Sequence, residues 1–119
     1  CRIAPPSARF ARQSLSTFNG GITNSGSIIA TAMVMSGAGS SNTAKATGLF
    51  VSASTFIGSI VNSGLISASA TVNACGTAIA RGISILANNT FAGGITNSGT
   101  IIAQATGNAN SRGGNAIGI

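Results

Sequence analysis

The 119-residue chain contains no Asp, no Glu and no His. General acid–base catalysis normally runs through carboxylates or imidazole, and glycoside hydrolysis by paired carboxylates is excluded outright. A Ser or Cys nucleophile would have to find its base in Lys45, the single lysine, and no pattern places one beside it. Two cysteines, Cys1 and Cys75, with no His or carboxylate to join them, do not compose a metal site. The glycine pairs Gly20-Gly21 and Gly93-Gly94 lack the following Lys-Ser/Thr of a phosphate loop and read as turn glycines. The expectation is therefore a protein that is not an enzyme. No catalytic residue, cofactor, metal ligand or small-molecule substrate is expected.

Trp and Tyr are also absent, and Phe occurs five times. All six formal charges are basic: Arg2, Arg9, Arg12, Lys45, Arg81 and Arg112. Three lie in the first twelve residues and the others are far apart in sequence. Nucleic-acid surfaces combine clustered cations with stacking aromatics, so this spread argues against nucleic acid. Long apolar runs are missing too. Ser, Thr, Asn and Gly interrupt every stretch well short of the roughly 18 residues a spanning helix needs, so no transmembrane segment is expected. The first residue is Cys1 rather than Met, which reads as a processed product or a piece of a longer chain. No signal peptide is read within the chain, since no apolar stretch follows the basic residues Arg2 to Arg12, and a Cys1 lipidated after signal cleavage is the other reading. Cys1 and Cys75 could pair in an oxidising compartment, or stand as two unrelated thiols.

What is present is a repeat. "TFNGGITNSGSIIATA" runs from Thr17 to Ala32, "TFIGSIVNSGLISASA" from Thr55 to Ala70, and "TFAGGITNSGTIIAQA" from Thr90 to Ala105. Phe18, Phe56 and Phe91 open the copies, at steps of 38 and 35 residues. Every second residue from Phe91 reads Gly93, Ile95, Asn97, Gly99, Ile101, Ala103, Ala105. The other phase is mostly Thr, Ser and Gln. Period two is the strand signal, and Gly, Asn, Ser and Thr at this density oppose helix. The Asn-Ser-Gly triplets at Asn24, Asn62 and Asn97 mark a bend. A variable stretch then follows, and a short strand around Gly48, Gly82 or Gly118. Lys45, Arg81 and Arg112 fall in or beside the variable stretch, which is expected to be a surface loop.

A short-stranded unit of this length cannot bury its inner face alone, so neighbouring units must stack. The expected fold is all-β: a parallel β-helix, or β-solenoid, of three repeats with about two coils of roughly 18 residues each. Residues 1–16 form a basic segment, a candidate cap or linker containing Pro5-Pro6. Residues 17–119 form the solenoid, divided at 17–54, 55–89 and a truncated 90–119. Identical positions should lie above one another at about 4.8 Å. That predicts a structural ladder of Phe18, Phe56 and Phe91, of Ile28, Ile66 and Ile101, and of Asn24, Asn62 and Asn97, the amides bonding up and down the stack. In the outward phase Thr23, Val61 and Thr96 should align, as should Ser27, Leu65 and Thr100. Thr23, Thr96, Ser27 and Thr100 are the candidate binding face, and Ile29 and Ile102 on it could receive another chain.

The motif F-x-G-G-I-T-N-S-G-T-I-x-A, with the later A-I-G-I, resembles the repeats of large bacterial autotransporter passengers and related β-helical surface adhesins. The similarity spans roughly Thr17 to Ile119. It implies a right-handed parallel β-helix, exported through the outer membrane and displayed, often as an adhesin, at the cell surface. Three functional expectations follow. The first is a non-enzymatic structural or adhesive segment of an extracellular, bacterial cell-surface protein. The second is a filament subunit that self-associates through open solenoid ends. The third is a binding module, for ice or glycan through the Ser/Thr face or for a ligand of a basic patch.

Overall fold

A computed structural model describes residues 7–35, 42–73, 75–107 and 114–119, with the backbone alone for 7–15. The period-two runs become ten strands: β1 (Ser7–Asn19), β2 (Ile22–Asn24), β3 (Ser27–Val34), β4 (Asn42–Ile57), β5 (Ile60–Asn62), β6 (Leu65–Val72), β7 (Gly76–Ala92), β8 (Ile95–Asn97), β9 (Thr100–Gly107) and β10 (Gly114–Ile117). The described residues contain no helix long and apolar enough to cross a membrane.

The strands sort into three sheets, ordered β1-β4-β7-β10, β2-β5-β8 and β3-β6-β9. Every pairing is parallel. Each strand therefore pairs with the strand three further on, and the chain passes once through all three sheets per repeat. This corrects the expectation of two coils of half the length. Ile22 pairs with Ile60 and Ile60 with Ile95, one whole repeat apart each time. The stack is accordingly shallow. The smallest principal extent is 17 Å against 45 and 28 Å, close to the three steps of about 4.8 Å that separate four strands.

The second half of each repeat differs from expectation in a related way. In the first two repeats the short strand expected around Gly48 or Gly82 is the long strand β4 or β7, which carries Lys45 or Arg81 within it, while most of the expected surface loop, at 36–41 and 108–113, lies outside the described residues. The alternation was hidden because it changes phase. Ala44 and Ala46 face inward, and then Leu49, Val51 and Ala53 do. The switch falls at Gly48, where a methyl group would meet Ile66 at 2.6 Å and the Gly82 carbonyl oxygen at 2.7 Å. Length variation is taken up between β3 and β4 and between β6 and β7, where the register step falls from 38 at Val34–Val72 to 34 at Asn42–Gly76. One further residue enters β7 as a bulge between Ala53–Ala87 and Thr55–Thr90, which restores 35 at Phe56–Phe91.

β1 runs through the boundary placed at residues 16 and 17, and its backbone pairs with β4 from Ser7–Lys45 to Asn19–Ile57. Residues 1–6, including Cys1, Arg2 and Pro5-Pro6, lie outside the described residues, as does Arg112.

Two apolar clusters fill the interior. One is built of Ile28, Leu49, Val51, Phe56, Ile60, Ile66 and Ile83, where all three sheets meet. The other lies between the outer part of β3-β6-β9 and the first part of β4-β7. It contains only Ala and Val: Ala30, Ala32, Val34, Ala44, Ala46 and their neighbours. Burial falls off along the stack. β6 alternates buried with half-buried residues, whereas the equivalent positions of β9 alternate half-buried with exposed.

Candidate functional site

A repeated corner forms at each Asn-Ser-Gly triplet. Asn24, Asn62 and Asn97 are register partners at the ends of β2, β5 and β8. The Asn24 side-chain amide donates to Asn62 Oδ1 at 2.7 Å, and the Asn62 amide donates to Asn97 Oδ1 at 2.7 Å. Each amide also turns back to a carbonyl two residues on, at Gly26, Gly64 and Gly99. An amide supplies both donor and acceptor, so one residue type can continue this chain of bonds indefinitely. The backbone closes the same corner: the Ser63 and Gly64 N–H groups donate to the Asn24 carbonyl, and those of Ser98 and Gly99 to the Asn62 carbonyl.

Glycine ends the triplet because the corner above leaves no room. A methyl group on Gly64 would sit 2.0 Å from the Gly26 carbonyl oxygen, and one on Gly99 2.1 Å from that of Gly64. Gly26, on the first circuit, has nothing within 4 Å in that direction. The preceding corner, Gly20, Gly58 and Gly93, has φ of 141–146°, a region side chains other than hydrogen rarely adopt.

The apolar columns run beside the amides. Phe18 and Phe56 stack at 5.0 Å with ring planes 7° apart, and Phe56 and Phe91 at 5.1 Å with 11°. The strand spacing imposes this near-parallel stack. Ile28, Ile66 and Ile101 are likewise consecutive partners. The central members Phe56, Asn62 and Ile66 have 0% exposure, while Phe91 is 39% exposed.

The candidate binding face is divided. Thr23, Val61 and Thr96 align on β2-β5-β8, whereas Ser27, Leu65 and Thr100 align on β3-β6-β9, beyond the Asn-Ser-Gly corner. Thr23, Thr96, Ser27 and Thr100 are exposed but do not share a sheet. On the second sheet the hydroxyls alternate with exposed Ile29, Met33 and Ile102.

Cys75 is half-buried with a free thiol. Among the described residues no group of three His, Cys, Asp or Glu could hold a metal ion. Lys45 and Arg81, expected in or beside a surface loop and on one region of the molecule, are half-buried residues of the neighbouring strands β4 and β7. The chemistry on offer is repetition: amide donors and acceptors, flat rings and strand edges, each at one strand spacing from its copy.

Comparison with protein-family models, with curated proteins and with solved structures finds no match for the chain.

Proposed function

We propose that this chain is a non-enzymatic structural segment of a right-handed parallel β-solenoid, displayed with an adhesive role at a bacterial cell surface. The observation that carries the reading is the amide ladder from Asn24 through Asn62 to Asn97. Such a ladder gains strength with each added coil and creates stiffness, not a pocket. The absence of carboxylate and imidazole supports the non-enzymatic part. Right-handedness follows the general rule for connections between parallel strands. The surface location rests on the F-x-G-G-I-T-N-S-G-T-I-x-A resemblance. Antibodies raised against the purified chain test it directly on the bacterium that produces it. Labelling of intact cells is expected, and labelling only after permeabilisation overturns the surface assignment.

One observation favours a second reading, in which copies stack end to end. The ladder has complementary ends. Asn97 and Phe91 are exposed on the last circuit, and Asn24 and Phe18 stand on the first. Whatever covers either end, a further coil or a second copy, must bring Phe, Asn and Ile in the same register. A heterologous contact of that kind does not close on itself and grows filaments. Electron microscopy over a concentration series separates the two readings. Filaments of constant width support stacking, and short rods at every concentration contradict it.

A further inference from the structure

The register gathers cations that the sequence scatters. Lys45 lies in β4 between the buried Ala44 and Ala46, and Arg81 in β7 follows the buried Ala78 and Ala80 in the same alternation. Both side chains therefore leave the outer face of the β1-β4-β7-β10 sheet. Arg81 pairs with Thr47, two residues beyond Lys45. One strand spacing and two residues separate the two Cα atoms by about 8 Å. On the other side of β4, the backbone of β1 sets Arg9 opposite Thr47 and Arg12 opposite Phe50. Arg9 and Arg81 thus flank Thr47 at two strand spacings, about 9.6 Å apart.

Four of the six cations fall on this one stretch of sheet, and no acidic side chain exists in the chain to neutralise them. The Cα positions of Lys45, Arg9 and Arg81 fall within about one Debye length of one another, and like charges on residues so spaced raise the local potential and attract anions. The half-buried outward residues around them include Thr43, Thr77, Ser52 and Ser84, hydroxyls that can donate to an anionic oxygen. Stacking platforms for bases are scarce. There is no Trp or Tyr, Phe18, Phe56 and Phe91 are committed to the internal ring stack, and Phe50, half-buried on β4 opposite Arg12, is the one aromatic ring whose side chain is described on this face. That combination fits anionic groups strung along a sugar chain better than a nucleic acid.

We propose that the outer face of this sheet, around Lys45 and Arg81, binds an acidic polysaccharide whose sulfate or carboxylate groups lie across the strands. Arg9 and Arg12 occupy register positions on the neighbouring strand β1. This surface is distinct from the Ser/Thr face on the other two sheets. It is present whether the chain belongs to a surface rod or to a stack of copies.

The test uses dextran sulfate as probe and uncharged dextran as its control, with binding to the whole chain read by calorimetry. Dextran sulfate should bind, weaken steeply with added salt and lose at least about tenfold in affinity in the Lys45→Gln/Arg81→Gln double variant. Lowering the net charge by the same two units on another sheet, in Thr31→Glu/Gln104→Glu at exposed positions of β3 and β9, should change affinity less than about twofold. Far-UV circular dichroism checks the fold, and each single variant is read alone should the double one unfold. Equal weakening by the two double variants would show attraction by net charge only and overturn the proposal. So would absence of binding, or tighter binding of an oligothymidylate than of dextran sulfate at equal charge.

Discussion

Replacing Asn62 with Ala removes the centre of the amide ladder. Asn62 accepts from Asn24 and donates to Asn97, both at 2.7 Å. Its amide also reaches the Gly64 and Thr100 carbonyls at 3.2 and 3.4 Å, lengths at which a bond is weak. Two good side-chain bonds contribute about 1 kcal/mol each, and the two long ones together add up to about 1 kcal/mol. The groups left behind fare differently. Asn97 is exposed, so water can reach its Oδ1, and Asn24 keeps the Gly26 and Leu65 carbonyls. The cost of Asn62→Ala is therefore about 2–3 kcal/mol, without a large extra penalty for orphaned groups. Asn97→Ala breaks one ladder bond and one turn bond on an exposed residue and should cost about 1 kcal/mol. Urea unfolding followed by circular dichroism measures both, provided the slope against denaturant stays constant. Equal losses for Asn62→Ala and Asn97→Ala would refute the reasoning, because it assigns the difference to a position in the ladder and not to the residue type.

Three further outcomes are expected. Gly64→Ala should destabilise by more than about 2 kcal/mol, since its methyl meets the Gly26 carbonyl oxygen at 2.0 Å. Gly26→Ala, which meets nothing within 4 Å, should leave the melting temperature within a degree or two and instead suppress any end-to-end stacking. Phe56→Ala, at a fully buried site, should cost about 3–5 kcal/mol; Phe91→Ala, at a 39% exposed one, should cost less than half as much in the same unfolding assay. Finally, without Asp, Glu or His, no side chain titrates between about pH 4.5 and 6.5, so unfolding free energy should be flat there. Asn62→Asp should break that flatness. Its buried carboxyl would face the Asn97 Oδ1 and Thr100 carbonyl oxygens, which raises its folded pKa above the unfolded value of about 3.9. Stability is then highest below the unfolded value and is lost as pH rises through the folded one.

Strand content and the three ladders were legible in the sequence because they recur in phase: Phe, Ile and Asn return at one parity after each Thr-Phe. The number of circuits was not legible, and the reason is local. The estimate of two coils treated the second half of the repeat as a loop plus a short strand. In the structure the described part of that half is the long strand β4 or β7, whose alternation breaks at Gly48 and Gly82, where the backbone passes close over Ile66 and Ile101. A period-two count across such a break averages to nothing. β1 was missed for a similar reason. "SLSTF" at Ser14 matches "SASTF" at Ser52, but Arg9, Arg12 and Gln13 stand where Thr47, Phe50 and Val51 stand one circuit on, which disguises the kinship. The repeat alignment placed Lys45, Arg81 and Arg112 on one region, but the register that sets Arg9 and Arg12 beside Lys45 and Arg81 required the circuit length. Register steps of 38 and 34 residues set which charges become neighbours, and those steps depend on loop lengths that no motif encodes.

The central claim is that one repeat makes one circuit, so residues 35 to 38 positions apart are immediate neighbours. Paired cysteines test it most directly. Thr31 and Ser69 are register partners on β3 and β6, at outward-facing positions. Parallel partners have Cα atoms about 4.8 Å apart, within the range a disulfide spans. In a Cys1→Ser/Cys75→Ser background, Thr31→Cys with Ser69→Cys should oxidise to a near-quantitative intramolecular disulfide under mild conditions. Two coils per repeat would hold the same residues about 9.6 Å apart, beyond that range. Failure of the pair to oxidise in the folded chain would contradict the account.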